Sequence, residues 1–286
     1  MNLAVLSQYV MPKQAITVLA GKLAHLEAGR LTSAVIRWFV QRYQVNMAEA
    51  QHADIHAYKT FNAFFTRPLK PGARQIATAD FVSPVDGRIS QLGRIEVDQL
   101  FQAKGHCYST TALLGGNKNL AKKFTDGQFA CLYLSPKDYH RIHMPCDGTL
   151  RSMTYVPGAL FSVNPNTAQG VPGLFARNER VVCEFSSAQH GLFIMVLVGA
   201  TVVGSMATVW HASKNGIINP PRSRKPRAWF YDNKNLALQQ GEEMGRFLLG
   251  STVVMLFEKD AVKFNADWQA DRSIQMGESM GASSSN

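Results

Sequence analysis

Twenty consecutive residues, Gly191 to Trp210, carry no charge, and a stretch of that length has two physical outcomes. It crosses a bilayer as a helix, or it is buried as strands inside a folded core. The content favours strands. Three glycines (Gly191, Gly199, Gly204), Thr201, Thr208, Ser205 and a high share of valine suit two buried strands joined or bulged near Gly199-Ala200. The same texture recurs at Arg88 to Val97, Phe129 to Leu134, Thr149 to Val156, Arg180 to Phe185 and Thr252 to Glu258. Short β-branched runs separated by Gly, Pro, Asn and Asp predict a sandwich or barrel.

The first quarter reads differently. Apolar residues recur at helical spacing in Ala15-Ile16-Val18-Leu19-Leu23-Leu26 and in Leu31-Ala34-Val35-Trp38-Phe39, with Lys22, Arg30, Arg37 and Arg42 between them. Nine Lys/Arg stand against three Asp/Glu from Met1 to Arg74, so six of the net +10 charges sit there. A basic amphipathic helix with aromatics on its apolar side suits either a cap on the core or a segment lying in a membrane interface. The expected class is therefore α+β: amphipathic helices over 1–75, a β-rich, barrel- or sandwich-like core over 76–270, and a disordered tail over 271–286. At 286 residues and 46% hydrophobic, the chain has material for a sizeable core.

Composition also excludes. Four cysteines (Cys107, Cys131, Cys146, Cys183) show neither CxxC pairing nor disulfide-scaffold density, which predicts reduced thiols facing the cytosol and no structural zinc. No secretory signal pattern opens the chain. His52 and His56 have the spacing of helical metal ligands, but Ala53 stands where a zincin needs glutamate. There is no GxGxxG fingerprint and no Walker loop. Gly277-Glu278-Ser279-Met280-Gly281 spells GxSxG, yet no helix can follow it and the last histidine, His211, precedes it. The basic loop Pro220 to Arg227, ending in Trp229-Phe230-Tyr231, suits a solvated loop, a lipid surface or single-stranded nucleic acid.

Chemistry concentrates in three places. Gly250-Ser251 opens the apolar run Thr252 to Phe257. Glycine gains a strand nothing, so a close approach to its backbone is one reason for it there, and a turn into the strand is another. A serine hydroxyl with a base nearby can attack the preceding carbonyl. Ser83-Pro84-Val85-Asp86-Gly87 predicts a tight turn that leaves Asp86 at a strand end. Ser135-Pro136-Lys137-Asp138-Tyr139-His140-Arg141-Ile142-His143-Met144-Pro145 places two of the eight histidines within four residues, supplying a base that a carboxylate would orient.

Taken together with Phe64-Phe65-Thr66-Arg67-Pro68-Leu69, Leu160-Phe161-Ser162-Val163-Asn164-Pro165, Arg177-Asn178-Glu179-Arg180 and Gly241-Glu242-Glu243-Met244-Gly245-Arg246-Phe247-Leu248-Leu249, these segments resemble the bacterial phosphatidylserine decarboxylases over roughly residues 60 to 258. The resemblance implies a proenzyme that cuts itself between Gly250 and Ser251. It assigns Asp86, His143 and Ser251 to the self-cleaving triad. It implies a pyruvoyl group made from Ser251 that forms a Schiff base with the substrate amine, with no external cofactor and no metal. His140 is expected to return a proton after carbon dioxide leaves, and Tyr139 to line the substrate pocket.

The implied partners are phosphatidylserine, an anionic membrane surface, the cleaved small chain 251–286 and a second copy in a homodimer, with no role for nucleic acid. The implied location is peripheral, on the cytoplasmic side of the cell membrane. Two rivals remain at this stage: a Ser-His-Asp hydrolase or protease that stays uncut, and a basic lipid- or nucleic-acid-binding module without catalysis.

Overall fold

The computed structural model describes residues 12–201, 206–211, 225–248 and 251–284. The Gly250-Ser251 bond, the Ser251 side chain and most of the basic loop lie outside that set. Helices α1 (Lys13–Ala24) and α2 (Arg30–Tyr43) form the leader, followed by the one-and-a-half-turn α3 (Phe61–Phe65). From there strands dominate: β1 (Phe81–Val82), β2 (Gly87–Arg94), the hairpin β3 (Gln99–Ala103) and β4 (His106–Ser109), β5 (Gln128–Leu134), β6 (Arg141–His143) and β7 (Gly148–Val156). Next come β8 (Arg180–Ser187), β9 (Gly191–Val198), β10 (Met206–Thr208), β11 (Arg227–Phe230), β12 (Ala237–Leu238) and β13 (Glu243–Phe247). The last are β14 (Ser251–Phe257), β15 (Val262–Phe264), β16 (Ser273–Ile274) and β17 (Ser279–Ser283). Short helices α4 (Thr110–Leu113), α5 (Lys118–Lys122), α6 (Pro165–Gly170) and α7 (Leu174–Arg177) fill the connections.

One open antiparallel sheet, in the order β11-β7-β8-β9-β14-β5-β2-β16 with β12 also on β7, carries the architecture. Each face is covered. On one side Val253, Met255 and Phe257 of β14 join a cluster with Met206, Met244, Phe247 and Met280, contributed by the small sheets β10-β13-β6 and β1-β17-β15. On the other, Val254 and Leu256 meet Leu113, Phe124, Val163 and Phe175, from the helical connections around the β3-β4 hairpin. Burial on both faces is why β9 and β14 are continuous apolar runs rather than alternating ones. The sandwich expectation therefore holds, as layered sheets without a closed barrel. Gly191 to Trp210 contributes strands β9 and β10, and no helix among the described residues is long and apolar enough to cross a membrane.

The leader keeps its own small core. Ile36, Val45, Tyr58, Phe64 and Phe65 are buried together, with Phe39 stacked edge-on against Phe61, Phe64 and Phe65. The opposite faces of α1 and α2 stay open. Leu19, Leu23 and Leu26 are 54–59% exposed, Leu31 is 66% and Trp38 is 58%. Leu23, Leu26, Leu31 and Trp38 line an apolar groove of about 360 Å³.

The chain's end departs from the expected disordered tail. Ser279–Ser283 is a strand between β1 and β15, and Met280 is fully buried. Small polar residues concealed a segment that Met276 and Met280 anchor and that backbone pairing to Ser83 completes. Cys131, Cys146 and Cys183 are buried free thiols, and burial raises the pKa of each.

Candidate functional site

The three motifs meet at one end of the main sheet. Arg88 pairs with Tyr133, and Tyr133 pairs with Thr252, so the Asp86-Gly87 turn and the start of β14 lie two strands apart across the end of β5. At about 4.8 Å per strand that is about 10 Å. Gly87 is required by this contact, because a Cβ there would overlap the Tyr133 carbonyl. Val198, at the end of β9, flanks Thr252 on the other side.

The Ser83-Pro84-Val85-Asp86 turn is clamped from both sides. His143 N–H donates to the Pro84 carbonyl (2.9 Å) and Val82 N–H to the Pro145 carbonyl (2.9 Å), which joins the turn to the histidine segment. Ser83 N–H donates to the Glu278 carbonyl (2.8 Å) and the Ser83 carbonyl accepts from Gly277 N–H (2.9 Å), which joins the turn to the C-terminal strand.

His143 is largely buried, and desolvation lowers its pKa, so the imidazole is neutral near pH 7. Its Nδ1–H donates to the Gly241 carbonyl at 2.7 Å. That fixes the tautomer and leaves the Nε2 lone pair as acceptor for the Tyr139 hydroxyl at 3.0 Å. Gly241 presents this carbonyl from a left-handed turn (φ +80°), whose N–H donates to Met144 and where a Cβ would press on Ile76. Gln240 holds the turn from the next position, donating to the carbonyls of Ala79, Asp80 and Pro145 at 3.0–3.1 Å.

Asp86 and His143 are not hydrogen-bonded to each other. The carboxylate receives Arg74 Nε at 3.0 Å and Nη2 at 2.5 Å, and the Met276 amide at 2.8 Å, while Arg74 also reaches Glu49 at 2.8 Å. The hydrogen bond that orients the imidazole thus comes from Gly241, and Asp86 acts on it through its charge, which raises the His143 pKa as a minor contribution.

His140 is completely buried, its ring 4.0 Å from that of Phe65. Its Nδ1–H donates to the Asp138 carbonyl at 2.8 Å, and Nε2 has no partner among the described residues. Desolvation pulls its pKa down to about 3. In this state it holds a lone pair, not a proton, on Nε2. Tyr139 is also buried and keeps its proton, its pKa raised by desolvation. It lines a polar cleft with Asp86.

Sequence reasoning missed Arg74, Gly241 and Met276. Arg74 had a faint signal, a single arginine in the polar stretch after Lys70-Pro71-Gly72. The other two act through backbone atoms, which residue type does not reveal. Among the described residues no cluster of His, Cys, Asp or Glu could hold a metal ion.

A neutral imidazole with an accepting Nε2 can act as a base in hydroxyl chemistry. The family model described as phosphatidylserine decarboxylase matches residues 61–282, and a model described as PSD matches residues 3–44. The phosphatidylserine decarboxylase proenzyme of Dechloromonas aromatica is 67% identical over 281 residues, covering 98% of each chain. That of an Azoarcus species is 63% identical over 280 residues, covering 98% of this chain and 96% of the relative. The proenzyme of Variovorax paradoxus is 64% identical over 277 residues, covering 97% and 96%. With a family model over most of its length and relatives of this identity end to end, the chain belongs to the phosphatidylserine decarboxylase family.

Proposed function

We infer that this chain is a proenzyme that cuts itself at Gly250-Ser251 and then decarboxylates phosphatidylserine to phosphatidylethanolamine. The observation that carries the reading is the state of His143, a neutral base whose Nδ1–H is held by Gly241 and whose basic Nε2 lone pair accepts only the Tyr139 hydroxyl among the described residues. His143 Nε2 takes the Ser251 hydroxyl proton, and the oxygen attacks the Gly250 carbonyl, moving the acyl group from nitrogen to oxygen. Loss of the Ser251 α-proton expels the ester, and water hydrolyses the resulting enamine/imine to ammonia and a pyruvoyl end.

The residues suit that group: His143 is a neutral base, and the residue before the serine is a glycine, with no side chain to hinder attack on its carbonyl. When present, the pyruvoyl carbonyl supplies an electrophile for the substrate amine and a sink for the electrons released with carbon dioxide. His140 returns the proton. Burial without an anionic contact keeps it neutral in the free protein, so an anionic substrate entering beside it is what raises its proton affinity.

Mass spectrometry of freshly purified protein tests the reading. Two fragments, 1–250 and 251–286, the smaller without a free amino terminus, are expected. A fully active, intact chain would instead mark a hydrolase and end the proposal.

The same reading places the protein peripherally on the cytoplasmic membrane surface, supported by the open apolar faces of α1 and α2 among Lys22, Arg30, Arg37 and Arg42. Co-sedimentation with anionic vesicles that weakens in high salt is expected, and retention through a carbonate wash would contradict it. Homodimer formation is proposed from the family resemblance alone and is checked by light scattering.

A further inference from the structure

A polar cleft of about 280 Å³ lies between the end of α2 and the loop that carries Tyr139 and His140, with Gln44, Asn46, Arg67, Lys137, Asp86 and Tyr139 among its walls. Its walls hold the carboxylates Glu49, Asp86 and Asp138 and the cations Arg67, Arg74 and Lys137, unevenly paired. Arg74 is consumed by Asp86 and Glu49. Asp138 is held by the amide and hydroxyl of Ser135, at 2.7 and 2.8 Å. Arg67, only 3% exposed, forms no ion pair among the described residues. One guanidinium nitrogen, Nη2, donates to the Lys137 carbonyl at 3.2 Å, and the buried Nε has no acceptor. The guanidinium lies over the Phe64 ring at 5.3 Å, and burial lowers its pKa.

Asp86, Asp138 and Glu49 act on this guanidinium only through their charge, and a desolvated guanidinium with no directly bonded carboxylate gains from an anion that supplies the acceptors. Arginine's planar fork suits a phosphate. The chain passes directly from α2, whose Leu31, Val35 and Trp38 are exposed, to Gln44 and Asn46 in the cleft wall. A lipid held by the helices would present its headgroup there.

We propose that Arg67, with Lys137 at the rim, binds the phosphodiester of the lipid headgroup and so holds the serine moiety beside Tyr139. This rests on the decarboxylase reading. The substrate's carboxylate is the poorer occupant, because a cation on that group stabilises the ground state and loses its partner as carbon dioxide departs.

The test uses processed enzyme, with cleavage verified by fragment mass, and short-chain phosphatidylserine in detergent. Binding of glycerophosphoethanolamine, which has the phosphodiester but no carboxylate, is followed by calorimetry, and L-serine serves as a probe with no phosphate. Arg67→Gln is expected to raise KM and the glycerophosphoethanolamine Kd together by about 10- to 100-fold, the weight of one or two charge-assisted hydrogen bonds. kcat should change far less. Arg67→Lys should fall between, Lys137→Gln should give a few-fold effect, and inhibition by L-serine should not move.

Unchanged KM and Kd, or a shift in L-serine inhibition equal to that in KM, would overturn the proposal. If Arg67→Gln fails to process, the other arms decide: no binding of glycerophosphoethanolamine to the wild type, or a Lys137→Gln variant with wild-type KM, overturns it. A wild type that binds the probe yet leaves phosphatidylserine intact would refute the decarboxylase reading and spare the site.

Discussion

Replacing Arg74 with methionine isolates the electrostatic support under Asp86. Asp86 is 7% exposed and takes two of its three hydrogen bonds from this guanidinium. Hydrogen bonds to charged groups are worth about 1.5–3 kcal/mol each, and truncating one side of a buried pair costs about 3–5 kcal/mol because the other charge is left behind. The Met276 amide persists in the variant, and Glu49, a third exposed, adds well under 1 kcal/mol. The expected loss is therefore near the lower bound, about 3 kcal/mol, or roughly 6–12 °C in Tm for a chain of this size. Urea unfolding followed by tryptophan fluorescence measures it, in a Ser251→Ala background that keeps every molecule uncut. The decisive comparison adds Asp86→Asn. Removing the abandoned carboxylate should make the double variant more stable than Arg74→Met alone by about 1 kcal/mol or more, although neither processes at the wild-type rate once Ser251 is restored. A loss below 1 kcal/mol, or a double variant less stable than the single, would refute the idea that Arg74 compensates a buried charge.

Acid should unfold the uncut protein through its histidines. His140 has its folded pKa lowered from 6.5 to about 3, so the unfolded chain binds the proton first as pH falls. Its contribution is intact above about pH 6.5 and declines by about 1.4 kcal/mol per unit between 6.5 and 3. His140→Phe should flatten that slope in pH-dependent urea titrations, and an unchanged slope would contradict the burial argument. His140→Ala, in the processing assay, should cleave normally and fail in decarboxylation, whereas wild-type carbon dioxide release would remove it from the mechanism. Gly241→Ala must place a side chain at φ +80°, costing about 1–2 kcal/mol, and displace the carbonyl that holds His143, so slower appearance of the two fragments on a gel is expected. Met280→Ala, at a fully buried position, should cost about 2–5 kcal/mol, while a disordered tail would register nothing in the same melt.

What the sequence disclosed and what it hid divide along a physical line. Strands β5, β8, β9 and β14 announce themselves because their own side chains are largely apolar, several of them β-branched, a local property. The histidine segment and the Asp86 turn are equally local, since proline and glycine punctuate both. The partners that complete the site are not local. Met276 meets Asp86 across 190 residues, and Gly241 meets His143 across 98, each through a backbone atom. Leader and core follow the same rule. The helical period of α1 and α2 was evident, but which face would stay open was not, because that depends on Phe61, Phe64 and Phe65 covering the other. The Asp86-to-His143 contact expected of a triad likewise depends on residues far apart in sequence, and here Arg74 and Met276 bond the carboxylate while Gly241 and Tyr139 bond the imidazole.

The place of the proposed cut has a structural consequence. Residue 251 opens β14, which lies between β5 and β9 near the centre of the main sheet, and every side chain from Thr252 to Phe257 is fully buried. At about 1.5–3 kcal/mol per large apolar side chain, the five apolar ones contribute on the order of 10 kcal/mol, an upper estimate against an extended reference. A backbone break just before such a strand leaves its pairing and its packing untouched. The small chain is further held by β17, whose Met280 enters the same core as Met255 and whose neighbours pair with Ser83. The new terminus is therefore fixed by the strand behind it and faces the Asp86 turn across β5, so the folded core holds a reactive end in register without any covalent link to the first 250 residues. Because β14 must already be seated for Ser251 to meet its base, folding precedes cleavage, and the cut converts a completed sheet rather than assisting its assembly.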